Sequence, residues 1–242
     1  YRAVFGSERD VWQHWIVNGE DCAHSNKARY AQWRALYGED SDFVRVRILG
    51  QPPNADELQY IDHARVLAAQ QNRVDALSTE PLIAGVDVSG GGAAWTVCRF
   101  RRGFDARSRP PLRWTGEQTM ADKRQLIVAQ LASVLADERP THKVAAMFVD
   151  SAFGAVIVSQ LQALGYRQVH EVNFGGPALD VHDANMRAYM WRQVKEWLPH
   201  AALDPKDQRL LDDLEAPGYH LNPKQQLVLE AKEHMQARGV AS

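Results

Sequence analysis

Two aspartates stand where short apolar runs end. Leu82-Ile83-Ala84-Gly85-Val86 leads to Asp87, and Val144-Ala145-Ala146-Met147-Phe148-Val149 leads to Asp150. Apolar runs of this length, bounded by turn residues, read as buried strands. If the two strands lie side by side and parallel, both carboxylates reach one edge of a sheet. Hard oxygen donors there suit Mg²⁺ or Mn²⁺. A pair of such ions about 4 Å apart can activate water and stabilise the leaving oxygen in phosphodiester cleavage. Aspartate is also a common strand-ending and turn residue. Either residue alone reads that way; the two together, each closing its own strand, read as a metal site.

Other groups with chemical potential are weighed against this pair. Gly90-Gly91-Gly92 follows Asp87 but fits neither GxxxxGK[ST] nor GxGxxG before a helix, so it reads as a hairpin turn that lets substrate approach Asp87. Arg99, Arg101, Arg102, Arg107, Arg109 and Arg113 face only Asp105 over the second apparent hairpin. They describe a flexible basic finger for DNA phosphates, or a solubilised sheet edge. Asp180-Val181-His182-Asp183 and Asp212-Asp213 with Glu215 hold ligand-type residues, yet at positions where helix starts and exposed helix faces also place acids. No Ser/His/Asp arrangement stands out.

The elements that must position these residues follow from periodicity. Helices are predicted over Asp10 to Val17 and Lys27 to Tyr37, with Trp12, Trp15, Tyr30 and Trp33 as packing residues. The run 38–42 breaks the second helix, Phe43 to Leu49 alternates like a strand, and Pro52-Pro53 marks a boundary, dividing a lead-in over 1–53 from a main domain over 54–242. The main domain opens with a helix over Ala55 to Gln71. Strands over Leu82 to Val88, Ala94 to Phe100 and Leu112 to Gln118 follow, joined as antiparallel hairpins. Next come a helix over Asp122 to Ala136, strand Val144 to Val149, helix Ala155 to Leu164 and strand Gln168 to Asn173. The last third is helical over Asp183 to Leu198 and Pro205 to Glu215, with a small hairpin at 219–228 and a final helix or turn from Glu230 to Arg238. The fold class is α/β: a mixed sheet of three antiparallel strands, then parallel ones, flanked by helices.

Composition narrows the class further. At 242 residues and 45% apolar content the chain can bury a substantial core, and no run approaches the roughly 20 apolar residues that span a bilayer. Cys22 and Cys98 are far apart and outside any zinc-type spacing, which fits a reducing cytoplasm. A net charge of −2 excludes a uniformly basic protein, so nucleic-acid contact must come from local concentrations of arginine and lysine. The opening Tyr1-Arg2-Ala3-Val4 has neither a signal sequence nor an initiator Met, as expected of a piece of a longer chain.

In order along the chain, several segments resemble the nuclease domain of the large terminase subunit of tailed bacteriophages and prophages, the motor that packages and cuts viral DNA. Tyr37-Gly38-Glu39-Asp40-Ser41-Asp42-Phe43 with Arg45-Val46-Arg47-Ile48-Leu49-Gly50 resembles the segment joining that family's ATPase to its nuclease. Gly85-Val86-Asp87 and Phe148-Val149-Asp150 resemble its first two metal-binding strands, and Asn185-Met186-Arg187-Ala188 and Leu229-Glu230-Ala231-Lys232 with Arg238-Gly239 resemble later segments. The resemblance implies a ribonuclease H-like fold and cleavage of double-stranded DNA dependent on Mg²⁺ or Mn²⁺. It implies Asp87 and Asp150 as catalytic ligands, with Lys232 or Arg238 bordering the site. It also implies partners: the ATPase domain of the same chain, the small terminase subunit and the portal, in the host cytoplasm. The family's third acidic ligand follows the Arg-Gly turn, and the sequence stops at Ser242, so weak metal binding and weak cutting are expected of these residues alone. A junction resolvase of the same fold and a noncatalytic DNA-docking module are the alternatives.

Overall fold

In the computed structural model, which describes residues 15–39, 42–51, 59–75, 79–91, 94–115 and 120–237, the centre of the architecture is strand β1 (Leu82–Asp87). It pairs antiparallel with β2 (Thr96–Arg102) on one side and parallel with β4 (Val144–Asp150) on the other. β3 (Leu112–Trp114) extends the hairpin edge and β5 (Val169–Val172) the parallel edge, giving the order β3-β2-β1-β4-β5. The chain divides into two compact units, Tyr1–Tyr60 and Ile61–Ser242, and the sheet lies in the second.

One face of the sheet is sealed. Leu82, Ala84, Val86, Cys98, Phe100, Met147 and Val149 alternate onto it, as strand periodicity requires, and all are buried. Two helices cover them. Helix α4 (Met120–Leu135) contributes Ile127, Leu131 and Leu135 at four-residue spacing, each burial worth about 1.5–3 kcal/mol. Helix α5 (Ser151–Ala163) contributes Ile157, Val158 and Leu161, and Gly154 brings its backbone close to β4. A Cβ on Gly154 would lie 2.5 Å from Val149 Cγ1, so the approach depends on glycine.

The remaining elements are helix α3 (His63–Gln71), helix α6 (Met186–Trp197), helix α7 (Gln208–Glu215), the hairpin β6 (Tyr219–Leu221) and β7 (Leu227–Leu229), and helix α8 (Lys232–Ala237). They are stitched together by side chains reaching backbone. Asn72 donates to Pro199 O and Ala201 O, and Arg65 donates to Lys195 O. No helix among the described residues is long and apolar enough to cross a membrane.

The lead-in unit holds helix α1 (Lys27–Tyr37), as its spacing predicts, and helix α2 (Asp42–Arg47). The latter corrects the strand expected over Phe43 to Leu49. Val44 and Ile48 are both fully buried and joined by an Ile48 N–H to Val44 O bond, so the alternating pattern was sampling an i, i+4 stripe. Residues 15–17 are not helical, residues 10–14 lie outside the described residues, and Trp15 is 76% exposed rather than packed. Of the helix expected from Ala55, residues 55–58 lie outside the described residues and 59–62 are not helical; the helix from His63 is capped by Asp62, which accepts from Arg65 N.

Candidate metal centre

Strand register arranges the open face of the sheet in rows. Val86 pairs with Val149, so Asp87 and Asp150 are the next neighbours along adjacent parallel strands and point to the side opposite those valines. Asp87 also pairs with Val97, and Asp150 with Val172, completing a row at the carboxyl edge. Two residues in from that edge on each strand lies a second row: Arg99, Gly85, Phe148 and His170. Neighbouring strands are about 4.8 Å apart. That sets the two carboxylates side by side, close enough for the Asp150 charge to act on Asp87, whereas one cation shared through bonds of ~2.1 Å needs oxygens about 4 Å apart.

The local causes of this placement differ for the two acids. Asp150 closes β4 and also caps α5, its Oδ1 accepting from Ala152 N at 3.4 Å. That is a long contact, and it leaves most of the carboxylate's accepting capacity unused. The helix begins at Ser151 rather than at Ala155 because Asp150 supplies this cap. Asp87 is solvent-accessible at the mouth of the β1–β2 turn, yet protein surrounds most of its carboxyl. In that turn Gly90 lies against the Phe153 ring; a Cβ there would come within 2.5 Å of the ring.

Electrostatics set Asp87 apart. Burial pushes its carboxyl above the ordinary carboxylate range, the Lys232 ammonium pulls it down, and the Asp150 charge adds to the rise. Lys232 opens α8, and the turn before it is fixed by Arg187 donating to Glu230 O at 2.8 Å and by Gly218 N–H donating to Glu230 Oε2 at 3.0 Å. Two segments that resembled the terminase family in sequence, 185–188 and 229–232, therefore meet in space. Arg238 lies outside the described residues. Asp213, on α7, also titrates above the ordinary range, through burial first and then the charges of Asp212, Asp207 and Asp87, with Arg99 opposing.

The six arginines are divided by the same alternation. Arg99, Arg101 and Arg113 lie on the open face with Asp87; Arg102 lies on the other side of β2. Asp207, which sequence reading passed over, receives Arg99 at 2.7 Å and Arg113 at 2.6 Å while capping α7 by accepting from Leu210 N. Its own burial raises its pKa, but the two guanidiniums outweigh this and hold the carboxyl low. Asp207 carries no local signal, lying inside the helix expected from Pro205 where the structure makes it the cap, and its partners are about a hundred residues away.

The expected flexible finger is instead a pinned loop. Ala106 N–H donates to Ala202 O and Ala202 N–H to Phe104 O. Arg107 donates to Leu203 O and Gln70 O, and Arg102 to Glu80 O and Thr141 O. Arg109 donates to His142 O and stacks 4.0 Å over Phe100. Arg102 pairs with Leu82 at the start of β1, so the loop hangs from the end of the sheet remote from Asp87. A cavity of about 470 Å³, bordered by Arg101, Arg102, Arg109 and His142, lies at that remote end and takes no part in the carboxylate site.

Most acids of the other two clusters are also partnered. Asp183 is buried and receives Arg192 through Nε and Nη2, while Asp180 bonds His182 and Arg192. Glu215 bonds His63 at 2.6 Å, and Asp212 accepts from Gln208. Among the described residues no three His, Cys, Asp or Glu side chains gather as a metal site. Two carboxylates with room for solvent and phosphate oxygens nonetheless match how Mg²⁺ is commonly held, through one or two carboxylates plus substrate.

A central strand flanked by an antiparallel hairpin and a parallel pair, with acids closing two adjacent strands, defines a ribonuclease H-like fold. Solved structures with this architecture include nuclease domains of phage large terminase subunits. A mutant of the large terminase subunit of bacteriophage Sf6, solved with calcium, matches at TM-score 0.55 and 12% identity, covering 74% of this chain and 91% of that one. A mutant Sf6 nuclease domain with manganese and beta-thujaplicinol matches at TM-score 0.54, 13% identity, 75% of this chain and 91% of that one. The HK97 bacteriophage large terminase matches at TM-score 0.50 and 13% identity over 86% of this chain and 47% of that longer one. No protein-family model and no curated protein matches the sequence. At these identities the likeness establishes the fold.

Proposed function

We propose that this chain is a terminase-type nuclease domain that cuts double-stranded DNA with Mg²⁺ or Mn²⁺ during viral genome packaging. The observation that carries the reading is the row at the carboxyl edge of the sheet: Asp87 and Asp150, side by side on parallel strands, on the solvent-facing side. The Sf6 structures, which include forms with calcium and with manganese, support the choice of a divalent ion.

In this reading Asp87 and Asp150 hold the cations. Bound there, a divalent pair supplies an activated water and stabilisation of the leaving oxygen. Lys232 favours the ionised form of Asp87 and faces the incoming phosphate. Arg99 and Arg113 serve mainly to hold α7 through Asp207 and offer phosphates what remains of their surface. Arg101, exposed on the same face, is the freest phosphate contact of the six. Arg102, Arg107 and Arg109 are assigned to DNA only where backbone contacts leave a guanidinium edge free. Residues 1–53 are read as the link from an ATPase domain of the same chain. The small terminase subunit and portal are read as partners in the bacterial host cytoplasm.

Nicking of supercoiled plasmid, with and without Mg²⁺ or Mn²⁺, tests the proposal. Metal-dependent relaxation and linearisation by the wild-type sequence, lost in Asp87→Asn and Asp150→Asn, is the expected result. Equal cutting by wild type and both variants overturns it.

A further inference from the structure

The second row of the open face contains an aromatic surface that no metal chemistry requires. Phe148 is 40% exposed, unusual for a phenylalanine in the second strand from the sheet edge. Its ring is tilted 32° against His170, its partner on β5, with centroids 5.5 Å apart. On the other side its register partner is Gly85, whose missing Cβ would meet nothing within 4 Å. Gly85 does not have positive φ, so its backbone does not demand glycine. The result is a shelf floored by Gly85, walled by an aromatic pair on one side and by Arg99 on the other.

The shelf adjoins the carboxylates. Phe148 and Asp150 are two residues apart on β4, about 7 Å along the strand, or about two stacking rises of 3.4 Å in DNA. A group resting on Phe148 is therefore one to two nucleotides from a phosphate held at Asp87 and Asp150. Arg99, whose guanidinium also binds Asp207, lies beyond Gly85 in the same row and adds a cation on the phosphate side of a nucleic acid strand. A base within an intact duplex has both faces covered by its neighbours, whereas an unpaired base offers a free face to an aromatic ring.

Building on the nuclease reading, we propose that Phe148 and His170, with the open shelf over Gly85, form a stacking platform for an unpaired base next to the scissile phosphate. The substrate class is then DNA opened locally at the cut, and Phe148 is a binding residue that acts on substrate affinity.

The test uses a duplex carrying one unpaired 2-aminopurine and a fully paired control, titrated without metal and then cut with Mn²⁺. Wild type is expected to quench the unpaired probe and to bind that duplex more tightly than the control. Phe148→Ala loses the quench, weakens binding of the unpaired substrate by about 10-fold and raises KM with little change in kcat, as loss of one base stack predicts. Phe148→Trp restores both. Gly85→Leu removes no buried side chain, so it keeps the fold while filling the shelf and reproducing the Phe148→Ala defect. Metal-dependent cutting with quench and KM unchanged in Phe148→Ala and Gly85→Leu overturns the platform alone. Equal losses on paired and unpaired DNA also overturn it, in favour of a sugar contact. A wild-type chain that neither binds nor cuts DNA overturns the nuclease reading and the platform with it.

Discussion

The two faces of the sheet are built from the same five strands and differ in almost every physical respect. On the sealed face, alternating residues such as Cys98, Met147 and Val149 are fully buried beneath α4 and α5. On the open face, the intervening positions hold Asp87, Gly85, Phe148 and Asp150 within reach of solvent, beside arginines tied to Asp207. Stability and chemistry are thus separated by a single residue step along each strand. Substitutions one position apart are expected to act on different properties.

The largest effect should come from the open face. If Asp87 holds a cation as proposed, Asp87→Asn removes that ligand, and cleavage measured by plasmid nicking should fall by more than the roughly 10–100-fold typical of losing a supporting group around a metal. Its effect on stability has the opposite sign. A carboxyl whose folded pKa is raised above its unfolded value contributes stability below the unfolded value and loses it as pH rises through the folded one. Ionised Asp87 is therefore expected to cost the metal-free fold stability at neutral pH. Thermal melts without metal should show Asp87→Asn melting higher than wild type at pH 7, with the gap closing in acid. A lower melting temperature at pH 7 would contradict the assignment.

Asp207 tests the same face with the sign reversed. Asp207→Ala strands two guanidiniums and removes a helix cap, and urea denaturation should show a loss of about 3–5 kcal/mol. Its lowered pKa means this stability is present above the unfolded carboxylate range and lost as pH falls through the folded value. An acid titration of wild type against the variant should therefore converge only at low pH. Cleavage should fall too, because Arg99 and Arg113 on the open face lose the partner that holds them.

On the sealed face, Gly154→Ala forces a methyl to within 2.5 Å of Val149 Cγ1, and the same denaturation should register a loss of about 1–3 kcal/mol. The smallest effect is a reactivity. Burial pushes the Cys98 thiol up to about 12, with Arg109 opposing, so thiol reagents at pH 8 should label the partly exposed Cys22 and leave Cys98 unmodified until the protein unfolds. Rapid labelling of native Cys98 would show that the face is not sealed.

Much of this arrangement was legible in the sequence because it rests on local patterns. Apolar runs gave β1 and β4 almost to the residue, helical spacing gave α1 and α4, and the acids at the two strand ends were recognisable where they stood. The misreading of Phe43 to Leu49 has a physical cause as well. A short run alternating valine with arginine satisfies both a period of two and an i, i+4 stripe, and only burial of Val44 with Ile48 decides between them. The arginine hairpin reads as a free finger or a solubilised edge because a sequence displays charge and conceals partners. Carbonyls of Ala202, Leu203 and Gln70 have no signature to find.

The sequence by itself determined which strands end in carboxylates and which residues alternate to either side, because side-chain periodicity is fixed by backbone geometry within each strand. Only the tertiary structure decided that β1 and β4 are neighbours in register, that Asp207 holds Arg99 and Arg113, and that Lys232 acts on Asp87. Those relations join residues 60 to about 150 positions apart. They are set by packing and long-range electrostatics, which leave no local pattern in the chain.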